Sequence, residues 1–143
     1  MRGLALVLLF LCAACGGGGG QPTVSIDTAG GEVIVPVEVA DTPAKRERGL
    51  MGRQSLALDA GMVFVFPKDS KDAFWMKDTL IPLSIAFYDD RGRIVSLLDM
   101  EPCRAQPCPL YSSGAAYRGA LEVNRGAFDR WGVRVGDRLR LEQ

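Results

Sequence analysis

Histidine is absent from this chain of 143 residues. Its absence removes the imidazole that activates serine or cysteine nucleophiles and on which most zinc sites lean. It also removes the usual general base near neutral pH, so carboxylates, lysines and tyrosines remain as acid–base candidates. An excess of either charge is missing too: 17 basic residues stand against 17 acidic ones. No basic stripe stands out, which argues against a nucleic-acid partner. The balance is also too even for polybasic docking on a membrane. The chain carries no Gly-x-Ser-x-Gly, no Ser-x-x-Lys, no phosphate loop, no calcium loop and no internal repeat. Nothing in it names a reaction, a cofactor or a metal.

Long apolar runs are missing as well. The one at the N-terminus, Gly3 to Leu11 after Arg2, is short of the roughly 20 residues that a permanent bilayer span needs. A basic start, an apolar stretch and small residues before a cleavage point make a secretory signal. Here the small residues are Ala13 and Ala14, followed by Cys15 and the glycines Gly16 to Gly20. Cys15 is read as the lipid-carrying cysteine of a bacterial lipoprotein signal over residues 1–15, with plain secretion and an uncleaved anchor as the alternatives. The site usually held by Leu three places before it is Cys12, with Leu11 one place early. Residues 16–22 then form a glycine-rich tether of the flexible kind that separates a domain from a bilayer. Residues 23–143 form a single domain.

Cysteine is scarce: two of four lie in the signal. The others, Cys103 and Cys108, sit in Pro102-Cys103-Arg104-Ala105-Gln106-Pro107-Cys108-Pro109. A close even pair in an exported protein reads as a disulfide. A redox pair would usually be spaced C-x-x-C, and a metal would lack nearby partners. The methionines Met51, Met62, Met76 and Met100 could suit copper(I), but they lie in apolar runs without Met-x-x-Met spacing and read as core.

Beyond the tether the pattern is mostly period two. Val33, Val35, Val37 and Val39 mark a strand that Pro36 pushes toward an edge or a bulge. Further strands are expected at Gly61 to Phe66, ended by Pro67, at Ala73 to Met76, and at Leu83 to Tyr88. Arg93 to Leu98 follows the turn Asp89-Asp90-Arg91-Gly92. Ala120 to Asn124 and Arg138 to Leu141 complete the set. Thr42 and Pro43 predict a helix over Ala44 to Met51 that ends at Gly52. A shorter helix is expected from Arg125 to Trp131, stopped by Gly132. The fold class is mostly β: a single β-sandwich or barrel-like domain with one or two short helices.

Four segments together carry a resemblance: Arg46-Glu47-Arg48-Gly49-Leu50-Met51, Gly61 to Phe66, Phe74-Trp75-Met76-Lys77-Asp78-Thr79-Leu80-Ile81-Pro82-Leu83, and Ala120-Leu121-Glu122-Val123-Asn124. In this order and spacing they resemble the domain of unknown function 192, over about residues 32 to 142. That family often has Asn where this chain has Asp78, and Asp where it has Ser84. The resemblance implies a compact, mostly β, sandwich-like domain, often exported, and carries over no activity.

The candidate ligand-binding residues are Arg48, Trp75, Lys77, Asp78 and Glu122. Alternation puts Trp75 and Lys77 on one face and Phe74 and Met76 on the other. An indole face beside polar groups suits a sugar or peptide, whereas an ordinary core would use both aromatics for packing. Glu122 lies between Leu121 and Val123, where a half-buried carboxylate needs a partner. One reading is a structural pair with Arg46 or Arg48. The other is a carboxylate pair with Asp78 or Glu101 for hydrolysis. The five residues are expected to border one concavity beneath the aperiodic segment Pro102 to Arg118. The expected function is a non-catalytic binding or accessory role at the cell envelope, with the membrane reached through the lipid and a glycan or peptide as ligand. Carboxylate-dependent hydrolysis of envelope polymers is the alternative.

Overall fold

Period-two alternation builds a seven-stranded sheet in the computed structural model, which describes residues 20–143. The signal, Cys15 and most of the glycine tether lie outside the described residues. The strands are β1 (Thr23–Thr28), β2 (Gly31–Ala40), β3 (Gly61–Ser70), β5 (Leu83–Tyr88), β6 (Ile94–Met100), β8 (Tyr117–Asn124) and β9 (Arg138–Glu142). Two more, β4 (Phe74–Trp75) and β7 (Leu110–Tyr111), pair as a separate small sheet. The large sheet runs β6-β5-β8-β3-β2-β1-β9, and only β2 and β3 pair in parallel. It curls far enough for its edges to meet. Arg93, just before β6, bridges Arg138 at the start of β9, and the Leu139 amide donates to the Gly92 carbonyl at 2.7 Å. The fold is therefore barrel-like, open along most of its seam.

Each face of this curl buries its own set of side chains. Inside lie Val24, Ile26, Val35, Val37, Val63, Leu121, Val123 and Leu139, with Phe128 of α2 (Ala127–Trp131) packed against them. Outside, over β3, β8 and β5, lie Phe64, Met62, Leu83, Ile85, Phe87 and Ala120, with Leu50, Met76, Met100 and Tyr117. Every residue of β5 is buried, as befits a strand covered on both faces. The helix α1 (Pro43–Arg48) buries none of its own residues. It and the small β4–β7 sheet form a partial second layer over the outer face.

Several boundaries differ from expectation. Thr42 caps α1 through its hydroxyl, with Pro43 in the first turn, as anticipated. The helix stops at Gly49 instead of Gly52, because Gly49 turns to positive φ and its amide bonds the Lys45 carbonyl. Pro67 does not end β3, which continues to Ser70. The β3–β8 pairing is interrupted between Val65 and Ser70 instead, so the missing amide breaks the ladder without ending the strand. Pro36 lies where β2 changes partners. Residues up to it pair with β1, and Val37 onward pairs with β3. The strand expected over Ala73 to Met76 shrinks to two residues. The strands β1 and β7 are additions to the expected set. β1 carries only two apolar residues, Val24 and Ile26, yet both are fully buried. The Cys103–Cys108 disulfide is present, with Cα atoms 5.3 Å apart. Met62, Met76 and Met100 are buried in the outer core.

Candidate functional site

The second layer does not seal against the sheet. Between α1, the Asp72–Trp75 segment and β8 lies a cavity of about 280 Å³. Its walls include Phe64, Phe66, Phe74 and Tyr117, rings that pack edge to face. The Phe64 and Phe74 centroids are 5.1 Å apart, and those of Phe66 and Tyr117 are 5.4 Å apart. Arg46 frames one side. Its guanidinium lies 5.0 Å from the Phe66 ring and donates to the carbonyls of Asp41 at 2.8 Å and Val65 at 2.9 Å. This residue is thus committed to holding α1 onto β3. Asn124 at the end of β8 donates to the carbonyls of Leu56 and Ala57 and ties down the loop before β3.

Glu122 projects from the middle of β8 toward this outer layer, opposite Met62 on β3 and Ile85 on β5. It is 5% exposed and lines the cavity. Among the described residues it has no ion pair and no side-chain hydrogen bond within the protein. Burial pushes its carboxyl up to about 8, since a low-dielectric setting penalises the charged form. At neutral pH the group is mainly an uncharged acid facing an aromatic-walled space. It can then donate one hydrogen bond, or give up its proton if a cation arrives.

The five expected site residues separate. Arg48, Trp75 and Glu122 all line the cavity, while Lys77 and Asp78 do not. The alternation around Trp75 is as expected: Trp75 is 46% exposed and Met76 is buried. The Lys77 ammonium lies 5.4 Å from the Trp75 ring, outside the cavity wall. Asp78 has a backbone role. Its φ of 53° is in the left-handed region, which Asn and Asp tolerate best after glycine, and its carbonyl accepts from the Gly52 amide at 2.8 Å. An asparagine would serve that turn equally well. Ser84 is buried. Its hydroxyl donates to Asp99 at 2.5 Å and accepts from the Gly126 amide at 2.9 Å.

Three expectations are corrected. The structural Arg–Glu pair is absent, because Arg46 spends its donors on carbonyls and Arg48 stands exposed at the mouth. The Pro102–Arg118 segment does not roof the cavity; it contributes only Tyr117 to the wall, and α1 provides the cover. Nor does Glu101 approach as a partner carboxylate, since it pairs with Arg125 at the surface. Sequence reasoning passed over Asp72, Ala73 and Thr79, which also line the cavity. Thr79 carried a usable signal, its place in the Phe74–Leu83 segment that carries the family resemblance, and it is 7% exposed.

Comparison with known proteins bears on the whole domain. The chain is similar over 83% of its length, at 35% identity and a TM-score of 0.77, to a Sinorhizobium meliloti protein provisionally described as a transcription regulator. The match spans 92% of that protein. It is also similar to a protein of unknown function from Novosphingobium aromaticivorans, at 28% identity and a TM-score of 0.77. That match covers 82% of this chain and 83% of the other. No functionally curated protein matches the chain. Residues 24–141 match the model of the family described as "Uncharacterized ACR", the domain of unknown function 192, and the chain belongs to that family.

Proposed function

We propose that this chain is an exported, lipid-anchored binding domain of the cell envelope, whose cavity beneath α1 takes a compact ligand without transforming it. The observation that carries the binding part is Glu122, a buried carboxyl without an ionic partner among the described residues, at the wall of an aromatic cavity. No fully buried side-chain oxygen or nitrogen among the described residues lacks a hydrogen-bond partner, so the Glu122 carboxyl opens onto the cavity, where a ligand can meet it. A volume of about 280 Å³ suits one sugar ring or one or two amino-acid side chains rather than a polymer. Export rests on Arg2, the apolar stretch to Leu11 and Cys15. The Cys103–Cys108 disulfide fits an oxidising compartment.

The hydrolase reading keeps one supporting observation. A general acid must stay protonated near neutrality, as Glu122 does. The second carboxylate would then be Glu47 or Asp72, which share the cavity, in place of Asp78 or Glu101. The regulator description of the Sinorhizobium protein finds little support in this chain. The two helices among this chain's described residues have six and five residues, short for a recognition helix in a major groove, and the chain's charge is balanced.

A thermal-shift screen of the full chain against monosaccharides, peptidoglycan fragments, short peptides and small amines tests the binding part. Ala73 is exposed on the cavity wall, so Ala73→Trp fills the space without disturbing the core. A hit whose shift disappears in Ala73→Trp supports the cavity. Hits that persist in that variant, or no hit at all, contradict it. Fractionation tests the anchor: Cys15→Ser should release the protein from membranes and Cys12→Ser should not.

A further inference from the structure

We infer that the cavity beneath α1 selects ligands bearing an ammonium group, with Glu122 as the counter-ion at its inner wall and the aromatic rings around the ligand's apolar body. This deepens the binding role proposed above and rests on it. Three features of the cavity bear on that chemistry.

The first is the carboxyl without an ionic partner. Glu122 is nine-tenths buried and lines the space, yet no lysine or arginine among the described residues bonds it. Both nearby arginines lie on α1. Arg46 is held by the Asp41 and Val65 carbonyls and the Phe66 ring, and Arg48 is exposed at the mouth. The protein therefore leaves open the position of a cation against Glu122. The second feature is the wall. Phe64, Phe74 and Tyr117 line the same space, and aromatic rings attract ammonium groups when water is excluded. An anionic ligand would meet those rings and a carboxyl with no cation at the inner wall. The third is the mouth, where Arg46 and Arg48 are offset by Glu47 and Asp72, so an entering cation meets balanced charge.

Binding of this kind moves a proton. The titratable and charged groups sharing the cavity are Arg46, Glu47 and Arg48 from α1, Asp72 from the segment before β4, and Tyr117 from β8. The residues directly opposite Glu122 on β3 and β5, Met62 and Ile85, do not titrate. Burial holds the Tyr117 phenol above its ordinary value, so it stays neutral through the relevant range. Glu122 is protonated in the empty cavity at pH 6 to 7. When the ammonium binds, the Glu122 O–H bond breaks, the carboxylate keeps the electron pair, and the proton leaves to solvent. Affinity must then rise with pH by about tenfold per unit between pH 6 and 7, because one proton is released per ligand bound.

The probes are benzylamine, benzyl alcohol and benzoate, which share a ring and differ in the polar group. Isothermal titration of the full chain is run at pH 6, 7 and 8, in two buffers of different ionisation enthalpy. Benzylamine should bind most tightly at pH 8 and release about one proton at pH 6. Glu122→Gln, which keeps the shape and removes the charge, should lower its affinity at least tenfold at pH 8 and flatten the pH dependence. The melting temperature of that variant shows whether it is folded, and the wild-type pH slope is a second reading that needs no variant. Benzyl alcohol or benzoate binding as tightly as benzylamine at pH 8, or a benzylamine affinity independent of pH, would overturn the ammonium assignment. If benzyl alcohol alone binds and Ala73→Trp abolishes it, the ammonium inference falls while the cavity remains a binding site. If none of the three binds, the inference falls and the broader screen decides the cavity.

Discussion

Replacing Glu122 by Gln should stabilise this protein, and by an amount that grows with pH. The carboxyl titrates near 4.5 when free and at about 8 in the folded chain. Between those values the folded state keeps a proton that the unfolded state has lost. Stability therefore falls as pH rises from about 4.5 to about 8, and Glu122 adds no slope outside that window. At about 1.4 kcal/mol per pH unit, the full loss is about 5 kcal/mol, of which about 3 kcal/mol has accrued by pH 7. Glutamine fills nearly the same volume without a charge to desolvate. Glu122→Gln should thus match the wild type near pH 5 and exceed it increasingly toward pH 8. Urea unfolding of the full chain, followed by circular dichroism at pH 5, 6, 7 and 8, measures both curves. Asp27 and Asp41, held below their ordinary value by Arg140 and Lys45 respectively, act only at lower pH and leave this window clear. Wild-type stability that is flat or rising from pH 5 to 8 would refute the reasoning. So would a Glu122→Gln variant weaker than wild type at pH 8, the behaviour of a carboxylate paired with an arginine.

Three further outcomes follow from the packing. Gly119→Ala should destabilise by about 1–3 kcal/mol, since a Cβ there would collide with the Tyr88 hydroxyl and crowd the Phe64 carbonyl; thermal melting checks it. The Cys103→Ser, Cys108→Ser double variant should lose about 2 kcal/mol, as the chain-entropy model gives for so short a loop. Unreduced mass spectra of the native protein should show the peptide two hydrogens light. Asn124→Ala should free the loop ahead of β3 that its amide now holds, seen as faster hydrogen exchange after Leu56 with β1 and β9 unchanged.

The strand β2 was legible because its burial is one-sided. Val33, Val35, Val37 and Val39 declare a face, and the structure puts that face inside the curl. Pro67 misled because a missing amide breaks a ladder without obliging the chain to leave the sheet, and β3 runs through its irregularity to Ser70. The small strand β7 was hidden in an aperiodic segment, since two residues cannot show a period. Glu122 was legible as a carboxylate out of place, but its lack of an ionic partner among the described residues was not. Arg46 and Arg48 are near enough in sequence pattern to suggest a pair, and only the folded chain shows Arg46 turned to the Asp41 and Val65 carbonyls. Trp75 and Lys77 share a face as alternation required, yet the cavity edge passes between them, and period two carries no such information.

The most direct measurement of the central claim is the titration of the Glu122 side-chain carboxyl by carbon-13 NMR. The claim is that a lone uncharged acid faces the cavity at neutral pH. The Glu122 carboxyl resonance should then move with a midpoint at about 8. It should report an ionised group at pH 7 when benzylamine is bound. A midpoint below about 5 in the ligand-free protein, within the ordinary range for glutamate, would contradict it.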